Sequence, residues 1–111
     1  MTKKEIFETI LDVVSDISGI GRAEILEGTK RSEVVEARCI AAHYLIRYGV
    51  LPGDVVRFSN GIVKHRHYVT KSANMFQERC RQSFSFRCDA TEIGNILETN
   101  LKRKENQEKT R

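Results

Sequence analysis

The feature that most constrains this chain is a succession of apolar stripes at helical spacing, each bounded by a cap or a glycine. Thr2 and Glu5 form a capping-box pattern, after which Ile6, Ile10, Val13, Val14 and Ile17 recur on one helical face until Gly19. A short second helix fits Arg22 to Glu27, with Ile25 and Leu26 inward and Gly28 as its stop. Residues 29–31, TKR, make a basic connection, and Ser32 offers a cap for a third helix. That helix carries Val34, Val35, Ala37, Ala41, Tyr44, Leu45 and Tyr48, and Gly49 suits its left-handed end.

The middle of the chain reads two ways. VVRFSNGIVKHRHYV places Asn60-Gly61 between β-branched runs, a strong hairpin signal. PGDVVRF, however, makes a short helix begun near Pro52 or Asp54, and Val69, Ser72, Phe76 and Cys80 share one helical stripe. The local pattern favours helix–turn–helix over hairpin, with a helix over about 63–82. SFSFRC then reads as an irregular or extended joint, and Asp89 or Thr91 caps a last helix bearing Ile93, Ile96, Leu97 and Leu101. KRKENQEKTR, from Lys102 on, has no apolar residue and is expected to be a charged, disordered tail. The expectation is one all-α domain over residues 1–101, of about six helices including a helix–turn–helix.

Composition narrows the function classes. The chain has 111 residues, 40% hydrophobic and 31% charged, enough for one modest core. No apolar run approaches the ~20 residues that cross a bilayer, and MTKKEIFETI lacks a signal-peptide core, so no membrane partner and a cytoplasmic location are expected. Cys39, Cys80 and Cys88 form no CxxC pair and read as small hydrophobes. Gly19-Ile20-Gly21 lacks the phosphate-cradling loop pattern, so no nucleotide or other cofactor is expected. His65 and His67 point about 200° apart on a helix and do not share an ion there. On a strand they share a face, and His-x-His followed by Tyr68 would then suit a small metal-dependent nuclease built on a hairpin at 55–69. A net charge of +4 and a pI near 9.1 permit a polyanionic partner.

On a helical wheel over 63–82, His65, Val69, Ser72, Phe76 and Cys80 gather on one side. Arg66, His67, Thr70, Asn74 and Arg81 gather nearly opposite, flanked by Lys64 and Lys71, with Tyr68 between the two sides. The outward face suits the major groove of double-stranded DNA: Arg forks onto guanine, Asn onto adenine, and Thr touches a thymine methyl. KHRHYV, 64–69, is then the first turn of a recognition helix, with His65 and Val69 turned toward the core.

VVSDISGIGRAEILEGTKRSEVVEARCIAAHYLIR, residues 13–47, resembles the C-terminal DNA-binding domain of the bacterial replication initiator DnaA. The shared pattern is Gly19-Ile20, Glu24-Ile25-Leu26, the basic Lys30-Arg31 and the run Val35-Glu36-Ala37-Arg38-Cys39-Ile40-Ala41. LPGDVVRF at 51–58 and the last helix at 91–101 extend it over nearly the whole chain. The resemblance implies a Trp-repressor-like helix–turn–helix fold, with Lys30 and Arg31 in the minor groove or on phosphate and Arg38 on backbone or base. Lys64 then positions on phosphate, while Arg66, His67, Thr70 and Lys71 read bases. Three departures stand out. His65-Arg66-His67-Tyr68 replaces the family's Asp-His-Thr-Thr opening, Cys39 stands where the family commonly has Gln, and the turn SNGIVK is longer. The family's ATPase module has no counterpart here, which implies a stand-alone binder of a mobile element or phage without enzymatic activity. An interaction module that keeps the fold without DNA binding is the rival reading.

Overall fold

Each predicted apolar stripe becomes a packed helix. The computed structural model describes residues 1–109 and holds seven α-helices among them: α1 (Lys3–Ser18), α2 (Arg22–Leu26), α3 (Ser32–Arg47), α4 (Pro52–Phe58), α5 (Arg66–Asn74), α6 (Phe76–Gln82) and α7 (Phe84–Lys109). No strand occurs among the described residues, so the protein is all-α. None of the described helices is long and apolar enough to cross a membrane. The last residues of the tail expected at 102–111 lie outside the described residues.

The Thr2–Glu5 capping box forms, with Glu5 N–H donating to Thr2 Oγ1 at 3.1 Å and Thr2 N–H to Glu5 Oε1 at 3.2 Å. Gly19 and Gly49 both take positive φ, 75° and 87°, and let the chain turn off α1 and α3. Phe7, Ile10, Leu11, Val13 and Val14 of α1 are buried, while Ile6 and Ile17 sit at the edge of the stripe. Helix α3 is the hub, packing against α1, α2, α5, α6 and α7. Tyr44 of α3 donates its hydroxyl to Ala90 O of α7 at 2.7 Å in the core. A Cβ at Gly94 would lie 2.4 Å from that hydroxyl, so glycine lets α3 and α7 approach.

Three expectations change. The helix expected over 63–82 begins only at Arg66 and divides at Met75 into α5 and α6. No glycine or proline marks the break. Tertiary contacts of Phe76 replace them: its ring stacks on His43 of α3 at 3.6 Å and meets Phe86 of α7 edge-on at 5.7 Å. SFSFRC is no irregular joint. Ser83 accepts the Phe86 N–H at 3.2 Å, and α7 starts at Phe84. Ser32 is the first residue of α3 rather than its cap. The hairpin alternative at Asn60-Gly61, which the local pattern did not favour, does not form, so the strand on which the nuclease reading depends is not there.

Asp54 anchors α4. Its carboxylate accepts the Leu51 N–H at 3.0 Å, meets Lys3 of α1 at 3.3 Å, and pairs with Arg57. The Leu51 N–H, reinforced by Lys3 and Arg57 against the opposing effect of burial, holds this carboxyl below its ordinary range. Because the folded pKa is depressed, the stabilisation is full above the unfolded value near 3.8 and disappears as pH falls through the folded pKa. Urea unfolding across pH 2–6 should therefore show an acid loss of stability that is flatter in Asp54→Asn, a variant already less stable at pH 6. An unchanged acid slope in Asp54→Asn would count against this anchor.

Candidate nucleic-acid interface

The link between α4 and α5 is set by three residues. Asn60 and Gly61 carry positive φ, 54° and 86°, and reverse the chain. Asn-Gly thus specifies a pair of left-handed residues; the flanking elements follow from where their apolar side chains find partners. Ser59 is buried, donates its hydroxyl to Val56 O at 3.0 Å and accepts the Val63 N–H at 3.0 Å. Val63 and Val69 are then buried together in the core that α3 provides.

With Val69 turned inward, the other side of α5 faces water. Arg66, His67, Thr70, Lys71 and Asn74 are all exposed and, with Met75, line one shallow surface. Four of the residues singled out for base readout thus stand together. The Thr70 hydroxyl makes only a long 3.4 Å contact to Arg66 O, and its methyl remains on the outward face. Lys64 is exposed in the approach to α5.

His65 departs from expectation. It is exposed rather than turned to the core, because it is the extended N-cap of α5 and not part of the helix. Its ring therefore lies 5.5 Å from that of His67 at an interplanar angle of 23°, instead of on the opposite side. Among the described residues no group of three or more potential ligands forms around them.

The basic loop between α2 and α3 lies across a groove from α5, since Lys30, Lys64 and Lys71 line the same depression. Lys30 has no ion-pair partner among the described residues, whereas Arg31 meets Glu24 at 2.8 Å. Arg38 does something other than the resemblance implies. It donates from Nε to Ile25 O at 2.8 Å and from Nη2 to Thr29 O at 3.1 Å and to Glu27 O. Three of its five N–H donors are spent on main-chain carbonyls at the end of α2 and in the loop that follows it. Arg38 is therefore a positioning residue that shapes the Lys30–Arg31 loop. Burial pulls its pKa down, with the nearby Cys39 opposing. Cys39 itself is enclosed in the core, where burial pushes its thiol up, the behaviour of a packing residue. Cys80 is half-buried and Cys88 exposed, so the reading of all three as buried hydrophobes holds fully only for Cys39.

The sequence also carries an electrostatic signal in its charge order. Residues 55–77 contain Arg57, Lys64, Arg66 and Lys71, together with His65 and His67, and no carboxylate. That stretch carries a net formal charge of +4, while the other fifteen of the 19 Lys and Arg are balanced by the 15 Asp and Glu elsewhere in the chain. Among the described residues Lys64, Arg66 and Lys71 form no ion pair; Arg57 alone is paired, with Asp54. Comparison of the chain with protein-family models, curated proteins and solved structures finds no match.

The role of Arg38 separates from a surface contact by Arg38→Lys, which keeps the charge but cannot bridge three carbonyls. Urea unfolding should show a loss of about 1–3 kcal/mol, with faster amide exchange over residues 27–31. A neutral substitution would mean that Arg38 is a solvent-facing charge.

Proposed function

We propose that this domain binds double-stranded DNA and acts by binding rather than catalysis, with α5 in the major groove. The observation that carries this reading is the carboxylate-free basic run 55–77, combined with the exposed Arg66, His67, Thr70 and Lys71 on one surface. Duplex DNA is a dense polyanion, so unpaired cations without nearby carboxylates gain free energy through counterion release. Arg66 and Thr70 have the donor and apolar groups that base edges recognise. Lys30, held in place through Arg38, lies across the groove from α5, an arrangement suited to straddling a phosphate strand between the major and minor grooves. The resemblance to the initiator's DNA-binding domain supports the same mode. The departures in KHRHY argue for a different target sequence, and the initiator-like and mobile-element roles belong to this proposal.

Fluorescence anisotropy on a duplex selected from random sequence, and on its scrambled counterpart, tests this across a salt series. Lys30→Ala combined with Arg31→Ala should weaken both duplexes and flatten the salt dependence by about one unit of slope per lost phosphate contact. Arg66→Ala or Thr70→Ala should cost about 1–3 kcal/mol on the selected site and much less on the scrambled one. Equal losses on both duplexes would reduce Arg66 to a phosphate contact. A wild-type protein with no salt-sensitive affinity for any duplex would make the interaction-module reading the better one.

A further inference from the structure

A half-open groove of about 660 Å³ runs between α5, the α4–α5 turn and the α2–α3 loop. Its walls are apolar, with Leu26, Val35 and Met75 above core side chains, and its rim holds Lys30, Lys64 and Lys71. No carboxylate lines it. Beside it three exposed rings form a triangle: His65 to His67 at 5.5 Å, His67 to Tyr68 at 4.3 Å and His65 to Tyr68 at 6.1 Å. His65 and Tyr68 also line the groove, as does Ile62. Tyr68 is 56% exposed and Ile62 39%, large apolar side chains left in water within the carboxylate-free basic run 55–77.

Duplex DNA explains the lysines but not the rest. Its bases are stacked inside, so it offers phosphates and base edges and no ring faces. A single strand offers both parts of what this groove lacks: a phosphate at each nucleotide and flat, weakly hydrated base faces. Lysines along a groove with aromatic rings beside them are the two components by which proteins hold unpaired strands. An acidic peptide would satisfy the lysines, but it supplies no row of flat faces for Tyr68, His65 and Ile62.

We propose that this groove binds single-stranded DNA, with bases stacking on Tyr68 and His65 and packing on Ile62, and the backbone on Lys30, Lys64 and Lys71. This partner is additional to the duplex and stands without it. Because Lys30, Lys64 and Lys71 serve both, the two forms of DNA compete for one face.

The experiment uses the whole chain and a fluorescein-labelled oligodeoxythymidine of about 12 nucleotides, within the site sizes of small single-strand binders. The control is an abasic deoxyribose-phosphate strand of the same length and charge. Anisotropy should show the thymidine strand binding at least about tenfold more tightly than the abasic one. Tyr68→Ala should lower thymidine-strand affinity about 5- to 150-fold, the range for one lost base stack, with abasic-strand affinity unchanged and Tyr68→Phe restoring the wild-type value. Ile62→Ser, in an exposed turn, should weaken the thymidine strand in the same direction. Unlabelled duplex should displace the strand. Equal binding of thymidine and abasic strands would overturn the proposal, as would an equal loss on both in Tyr68→Ala. So would an oligoglutamate of matching charge that competes as well as the thymidine strand. Duplex affinity measured in parallel separates the two readings: strand binding without duplex binding sinks only the duplex reading, and the reverse result sinks only this one.

Discussion

Burial of α3 around most of its circumference is the constraint on which the remainder of the molecule depends. Val34, Ala37, Cys39, Ile40, Ala41, Ala42, Tyr44 and Leu45 are all enclosed and take up most of the circumference, leaving one strip with Glu36, His43 and Arg47. Such a helix is stable only when neighbours cover most of it, and α1, α2, α5, α6 and α7 all pack against it. Three of those eight side chains are alanines, which allows neighbouring backbones to come close. Helix α5 is nine residues long and mostly polar, too short to hold its shape alone. It exists because Val63 and Val69 are drawn into the core beside α3, and its cationic face is outward because those two valines are inward.

The same dependence explains which parts of the fold could be read from the sequence. Long stripes with strong punctuation, such as Thr2–Glu5 before α1 or Gly49 after α3, carry their boundaries in local chemistry. The start of α5 does not. His65 makes no side-chain cap, so nothing local says that the helix begins at Arg66 rather than three residues earlier. The break at Met75 is equally silent, because it is caused by Phe76 stacking on His43 from another helix. Burial, with Arg47 nearby, lowers the pKa of His43, which favours the neutral form of the stacked ring. Phe84, 72% exposed, gave no apolar pattern from which to extend α7 backwards; Ser83 and Phe86 do that work through a cap and a buried ring.

At the candidate interface the legible part was the outward face of α5, because side-chain direction on a helix follows from spacing alone. Arg38 was not legible. Its partners are main-chain carbonyls of Ile25, Glu27 and Thr29, and carbonyls have no signature in a sequence. An arginine in a basic region reads as a contact for phosphate, yet here most of its donors face inward. The cluster of His65, His67 and Tyr68 was hidden for a related reason: placing His65 outside the helix, rather than on it, turns two opposed rings into neighbours.

Charge placement and helix placement together define how this face can behave. A carboxylate within residues 55–77 would pair with Lys64, Arg66 or Lys71, as Glu24 pairs with Arg31 and Asp54 with Arg57. Pairing of that kind offsets part of a cation's attraction for a polyanion, although both arginines stay exposed. Of these two, Arg31 lies in the basic loop itself, and Arg57 pairs within α4 with the carboxylate that also meets Lys3 of α1. The unpaired cations stand on α5, its approach and the loop opposite, with their charge uncompensated at close range. Self-repulsion among them works against folding of this segment, and the buried valines and the Ser59 turn must offset it. A bound polyanion relieves that repulsion, so ligand affinity and local stability of α5 are coupled through the same few lysines and arginines.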